Sequence, residues 1–261
     1  GHGHQALPRR QGDTAMTDRY AVHGAQGEYQ PGSNDLVLAN KVLFHGAMSQ
    51  SRWSDARTFL ARAIVCAERA GDLREIGRLR NNMGIVLTQE GDLRAAAREC
   101  ERAAEIMRDI GDQLTLASVE VNIGVIHYKI GNFAAALEHY QASLRSAAAS
   151  GALPIECIVY NNLGELYRRV GKLPASLDQL DRSLELCVQT QDDLGLSEAH
   201  RQRAETFIAM NQLEAAETAC AEALRWARAA TDTQAEAIAH RARAMLAAAR
   251  ADYPAALVDT Q

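Results

Sequence analysis

Aromatic residues are scarce in this sequence, 5% of 261 residues, and only 5 prolines occur. A sheet protein would draw more heavily on β-branched and aromatic side chains. The abundant Ala favours helix instead, since it loses no side-chain entropy there. Hydrophobic residues still reach 47%, enough for a packed core. No run of 18 apolar residues is present, which excludes a membrane-spanning helix, and no secretory leader is visible. The 5 cysteines, Cys66, Cys100, Cys157, Cys187 and Cys220, are odd in number, widely spaced and form no CxxC. They read as small buried hydrophobes of a reducing, cytoplasmic compartment rather than as disulfides or zinc ligands. Also missing are a GxxxxGK(S/T) phosphate loop, a GxGxxG turn, an HExxH helix and a GxSxG elbow. The 8 histidines offer no ligand pair with a carboxylate partner at zinc spacing. No enzyme activity, metal or cofactor is therefore expected. The net charge of −5 argues against nucleic acid as a partner for the chain as a whole.

What the sequence does contain is a repeat. Gly71-Asp72-Leu73 returns as Gly91-Asp92-Leu93, Gly111-Asp112, Gly131-Asn132-Phe133, Gly151-Ala152-Leu153 and Gly171-Lys172-Leu173, twenty residues apart each time. Weaker copies stand at Ser51-Arg52-Trp53, Gln191-Asp192, Asn211-Gln212-Leu213, Thr231-Asp232 and Ala251-Asp252-Tyr253. Each mark stops a helix, because Gly or Asn accepts the left-handed conformation past a helix end. The Asp or Asn that follows caps the next helix. Segments of about 17 residues lie between the marks, the length of a helix of four to five turns.

Alternate segments differ, so the unit is a two-helix hairpin of forty residues. Its first helix carries Asn82-Met83-Gly84, then Asn122-Ile123-Gly124 and Asn162-Leu163-Gly164, with Ala204 and Ala244 in the later glycine positions. The second helix carries Leu93, Ala96 and Cys100, then Phe133, Ala136 and Tyr140, then Leu173, Ser176 and Leu180, then Leu213, Ala216 and Cys220. A small residue on one helix admits the large residue of the other, and neighbouring hairpins bury what a single one leaves exposed.

These small positions at Gly84, Gly124 and Gly164, with Tyr167, Gly171, Ala136 and Tyr140, resemble the tetratricopeptide repeat pattern. The period of forty exceeds that family's usual 34 or so residues. The longer helices resemble the subclass found in kinesin light chains, peptide-binding polarity scaffolds and bacterial signalling regulators. The expected fold is all-α: a right-handed α-solenoid of stacked antiparallel hairpins. Residues 1–34 are read as an irregular leader, in which His2 and His4 are a weak metal pair or a loose tail. Residues 35–261 are read as six hairpins, the last incomplete. Tyr253, Ala256 and Leu257 would leave an apolar side open there, suggesting that the native protein continues or that this end self-associates.

The resemblance implies a concave face lined by the first helix of each hairpin. The candidate peptide-binding residues on it are Arg78, Asn81, Asn82, Asn122, Tyr128, Lys129, Asn161, Asn162, Glu165, Arg168, Arg201 and Arg241. Asn is a poor helix former, so the series Asn82, Asn122 and Asn162 invites a reason. Its amides would pair with the backbone of an extended peptide, or would tie adjacent helices together. The excess of Lys and Arg on this face, with Lys41 and Arg169 among them, points to an acidic ligand. Two functions follow as expectations: a scaffold holding an acidic peptide or partner segment, or the ligand-sensing segment of a larger bacterial regulator. A nucleic-acid groove ranks below both, because no row of aromatic residues accompanies the arginines.

Overall fold

A computed structural model describes the backbone of residues 33–258 and the side chains of residues 37–251 apart from 39, 42 and 49. The expected leader lies almost wholly outside the described residues, with His2 and His4, as do the side chains of Tyr253, Ala256 and Leu257. Among the described residues all regular structure is helical. The helices are α1 Ser33–Ser49, α2 Trp53–Ala70, α3 Leu73–Glu90, α4 Leu93–Asp109, α5 Gln113–Ile130, α6 Phe133–Ser150, α7 Leu153–Arg169, α8 Leu173–Thr190, α9 Asp193–Ala209, α10 Leu213–Ala229 and α11 Thr233–Val258. None is long and apolar enough to cross a membrane.

The chain divides between Ile110 and Gly111 into two compact units. In the first, α1 pairs with α2 and α3 with α4, and α2 packs on α3. In the second, the hairpins are α5–α6, α7–α8 and α9–α10, with α11 against both α9 and α10. There the first helices of successive hairpins also touch, α5 on α7 and α7 on α9.

Local chemistry sets the boundaries. The glycines that close helices adopt φ between 67° and 88°, as at Gly151 and Gly131. Ser51, Gln191, Asn211 and Thr231 take the same left-handed conformation without being glycine, φ 53° to 57°, so the weaker punctuation marks turn the chain at the cost of some strain. Asp72, Asp92, Asp112, Asn132 and Asp192 each accept a hydrogen bond from the amide three residues on. The α7 and α8 starts lack such a cap and carry Pro154 and Pro174 in the first turn, where no amide donor is needed. The break expected at Ala251-Asp252 does not occur: α11 runs on to Val258. Arg250 and Ala251 are both good helix formers, and Ala251 stands where every other mark has Gly, Ser, Gln, Asn or Thr.

The small positions do the packing. A Cβ on Gly124 would lie 2.5 Å from the Tyr140 ring, and one on Gly164 2.6 Å from Leu180. The close approach lets the Ser176 hydroxyl donate to the Gly164 carbonyl at 2.7 Å. A second contact point, nearer the open end of each hairpin, pairs Gly77 with Met107 and Ala117 with Ala147. In the third such pair the sequence expectation fails. Cys157 and Cys187 are fully buried, as small hydrophobes should be, but their sulfurs are joined, with Cα atoms 6.0 Å apart. The forty-residue register puts these positions opposite each other whatever their distance along the chain.

Candidate functional site

The first-type helices α5, α7 and α9 of the second unit bring together most of the residues singled out from sequence. Asn122 and Asn162 hold equivalent places on α5 and α7, both half-buried. Gln202 holds the same place on α9 and is 2% exposed, a fourth member of the series that reading it as Asn alone overlooked. Asn161, one position earlier, is 6% exposed. In the first unit, Arg78 is exposed and Asn81 and Asn82 are half-buried on α3.

Charges on these helices are largely spent on each other. The Tyr128 hydroxyl of α5 donates to Glu165 Oε1 of α7 at 3.0 Å. Arg168 of α7 reaches Glu205 of α9 at 2.8 Å. Arg201 binds that same Glu205 and also Glu198, and the Gln202 amide donates to Glu198 at 2.8 Å. Arg201 and Glu205 are both buried. Burial lowers the affinity of Arg201 for its proton, but hydrogen bonds and charge from Glu198, then from Glu205, outweigh that and hold it above its ordinary value. In the first unit Lys41 pairs with Glu75 at 3.1 Å. The cationic face expected from sequence is thus neutralised at Lys41, Arg168 and Arg201 by acids on the same set of helices. Arg78, Lys129, Arg169 and Arg241 are exposed. Lys129 and Arg169 stand one repeat apart, at the ends of the touching helices α5 and α7.

Three polar atoms in this cluster are buried without a hydrogen-bond partner: Asn161 Oδ1, Arg168 Nε and Gln202 Oε1. Buried polar groups are nearly always paired, so these three are exceptions within the cluster. All three belong to α7 and α9.

Burial pushes the Tyr128 phenol up to about 12, with the charge and hydrogen bond of Glu165 adding to it and Arg168 and Arg169 opposing it. A folded-state value above the unfolded one means that ionisation opposes folding. The stabilising contribution is complete below a pH of about 10 and disappears as the pH rises towards 12. The absorbance difference between the wild type and Tyr128→Phe should therefore show one phenol titrating near 12. A phenol titrating near its ordinary value of about 10 would refute the pairing with Glu165.

A tetratricopeptide repeat profile matches residues 75–149, 115–189 and 155–225, windows that step along the chain in the register described above and together span more than half of it. The chain belongs to the tetratricopeptide repeat family. No curated protein matches its sequence. The quorum sensor NprR from B. thuringiensis, in its apo form, is 20% identical with a TM-score of 0.72 over 89% of this chain and 64% of that one. NprR in complex with its cognate peptide NprX gives a TM-score of 0.64 at 20% identity, over 98% of this chain and 79% of that one. Kinesin-light-chain-like repeats of Podospora anserina give 0.60 at 11% identity, over 78% of this chain and 100% of that one. At such identities the shared property is the tetratricopeptide fold.

Proposed function

We propose that α5, α7 and α9 line a groove that holds an extended peptide, or a segment of a partner protein, by its backbone. The observation that carries this reading is the buried, unpaired Asn161 Oδ1, with the unpaired Gln202 Oε1 on the next first-type helix. An amide side chain donates and accepts, so a row of them serves any peptide backbone regardless of sequence. The solved NprR complex with its cognate peptide supports a peptide as the ligand class. The likeness to the apo quorum sensor, of whose length this chain spans 64%, supports the second reading, that this tetratricopeptide array is the sensing segment of a larger regulator. An acidic ligand side chain would meet Lys129 and Arg169, because Arg168 and Arg201 are held by Glu205 and Glu198.

The test is selection of binders from a random peptide display library on the intact chain, with affinities measured by fluorescence anisotropy. Asn161→Ala with Asn162→Ala should weaken the selected peptides roughly 2- to 10-fold, the worth of one or two backbone hydrogen bonds. Lys129→Glu with Arg169→Glu should select against acidic peptides, and Arg145→Ala, on exposed α6 surface, should change nothing. Selected peptides that bind the Asn161 and Asn162 double variant as well as the wild type would reject the groove.

A further inference from the structure

The α7–α8 hairpin carries a feature that the groove does not use. Cys157 on α7 and Cys187 on α8 lie thirty residues apart in sequence, and both are fully buried. Their Cα separation of 6.0 Å falls in the ordinary range for a bridged pair. Packing does not require cysteine here. The equivalent pair in α5–α6 is Ala117 and Ala147, both fully buried, and in α9–α10 it is Ser197 and Ala227. Two small side chains suffice to bring the helices together, so the sulfurs add chemistry to a contact that forms without them.

Their surroundings differ from those of the other cysteines. The Ser183 hydroxyl is 3.4 Å from Cys157 Sγ and 3.7 Å from Cys187 Sγ. A carboxylate oxygen of Asp192 lies within 4.8 Å of both sulfurs. Cys66, Cys100 and Cys220 stand free and buried. Burial raises the Cys100 thiol to about 12 and moves Cys220 in the same direction, which keeps both protonated and unreactive. Cys157 is also four residues before Asn161, hence one turn away on the same side of α7.

We propose that Cys157 and Cys187 form a reversible thiol–disulfide site, closed by a hydroperoxide and opened by a dithiol, that fastens the open end of the α7–α8 hairpin. Closure runs in two steps. One sulfur gives an electron pair to a peroxide oxygen, the O–O bond breaks, and a sulfenic acid and one water form from hydrogen peroxide. The second sulfur then displaces the sulfenic oxygen, which leaves as a second water. Two S–H bonds and the O–O bond are consumed; one S–S bond and two waters result, with two electrons passed from the sulfurs to the peroxide. A dithiol reverses the cross-link by exchange and leaves as its own cyclic disulfide. Because both sulfurs are buried, either reagent acts when the start of α7 and the end of α8 part, and the bond then holds them together.

The experiment uses the intact chain with hydrogen peroxide, followed by dithiothreitol. Accessible thiols counted after unfolding should fall from 5 to 3 on oxidation and return on reduction, with the bridge mapped to Cys157 and Cys187 by peptide mass. Oxidation should raise Tm by roughly 5–10 °C, the effect of closing a loop of this size. It should also slow amide hydrogen exchange in residues 153–159 at least tenfold. The double variant Cys157→Ala with Cys187→Ala copies the natural Ala117–Ala147 pair, so it should fold and show neither change. Retention of all 5 thiols, or a bridge between other cysteines, would overturn the proposal. So would binding of one zinc ion by the reduced wild type but not by the double variant, because the site would then be a metal site including Asp192. None of these readouts involves peptide, so they succeed or fail independently of the groove.

Discussion

Replacing Glu205 with alanine should destabilise the second unit by about 3–5 kcal/mol, the typical loss when one partner of a buried ion pair is removed. The Glu205 side chain is 8% exposed and joins two arginines from different hairpins, Arg168 on α7 and Arg201 on its own helix. The Arg168 side chain is 24% exposed and its Nε is already unpaired, so loss of the carboxylate strips it of its ion-pair partner. Arg201, 9% exposed, would keep only Glu198. Glu205→Gln keeps an acceptor of the same shape and should cost roughly half as much, the difference being the value of the charge. Urea denaturation followed by circular dichroism checks the total. Hydrogen exchange should place the loosening in α7 and α9. A loss below about 1 kcal/mol for Glu205→Ala would mean that the network behaves like an exposed salt bridge. The same geometry changes how groove mutants should be read. Reversing the charge of Arg168 and Arg201 would place acids against Glu205 and Glu198, so a loss of binding in such a variant would reflect a damaged scaffold.

The helices and their pairing were legible in the sequence because the signals are local or strictly periodic. Gly131 stops a helix and Asn132 starts the next, and that statement needs no knowledge of the rest of the chain. The small residue at 124 facing Tyr140 at 140 could be read from the register, since the same pairing recurs at 84 with 100 and 164 with 180. The charge pairing was not legible by counting. Tyr128 with Glu165 and Arg168 with Glu205 are each 37 residues apart, one repeat less three, so they link neighbouring first-type helices. A tally of Lys and Arg on one face treats those acids as a minority of opposite sign and misses that they are partners. The cysteine pair was hidden for a related reason. A search for CxxC looks along the chain, whereas Cys157 and Cys187 meet across a hairpin. The long final helix shows the opposite error, since a punctuation mark was read at Ala251-Asp252 from register alone, without a residue that terminates a helix.

Gly124→Ala should destabilise the chain by about 2 kcal/mol although alanine is the better helix former. Propensity favours the substitution by roughly 1 kcal/mol. Against it, the new Cβ would stand 2.5 and 2.6 Å from two Tyr140 ring carbons and 3.2 Å from a third. Tyr140 is 2% exposed and among the largest fully buried side chains, so the rigid ring has nowhere to turn and α5 and α6 must separate. Overpacking of that kind costs typically about 1–3 kcal/mol, and a planar ring puts the case at the upper end. Gly84→Ala tests the cause. Its Cβ would come within 2.2 Å of Cys100 Sγ, a shorter contact than any at Gly124, and 3.2 Å from the Ala96 carbonyl oxygen, yet the nearest atom sits at the end of a short side chain that can rotate, and the carbonyl need yield only a few tenths of an ångström. Ala204 already stands beside Cys220 in α9–α10, both fully or almost fully buried, so this chain accommodates the alanine–cysteine pair. Gly84→Ala should therefore fall within about 1 kcal/mol of the wild type, on either side of zero. Chemical denaturation of the two variants in parallel decides between distance and rigidity as the controlling variable. A loss at Gly84 as large as or larger than that at Gly124 would show that the shortest contact sets the cost, whereas a large loss at Gly124 alone would show that the immobile partner does.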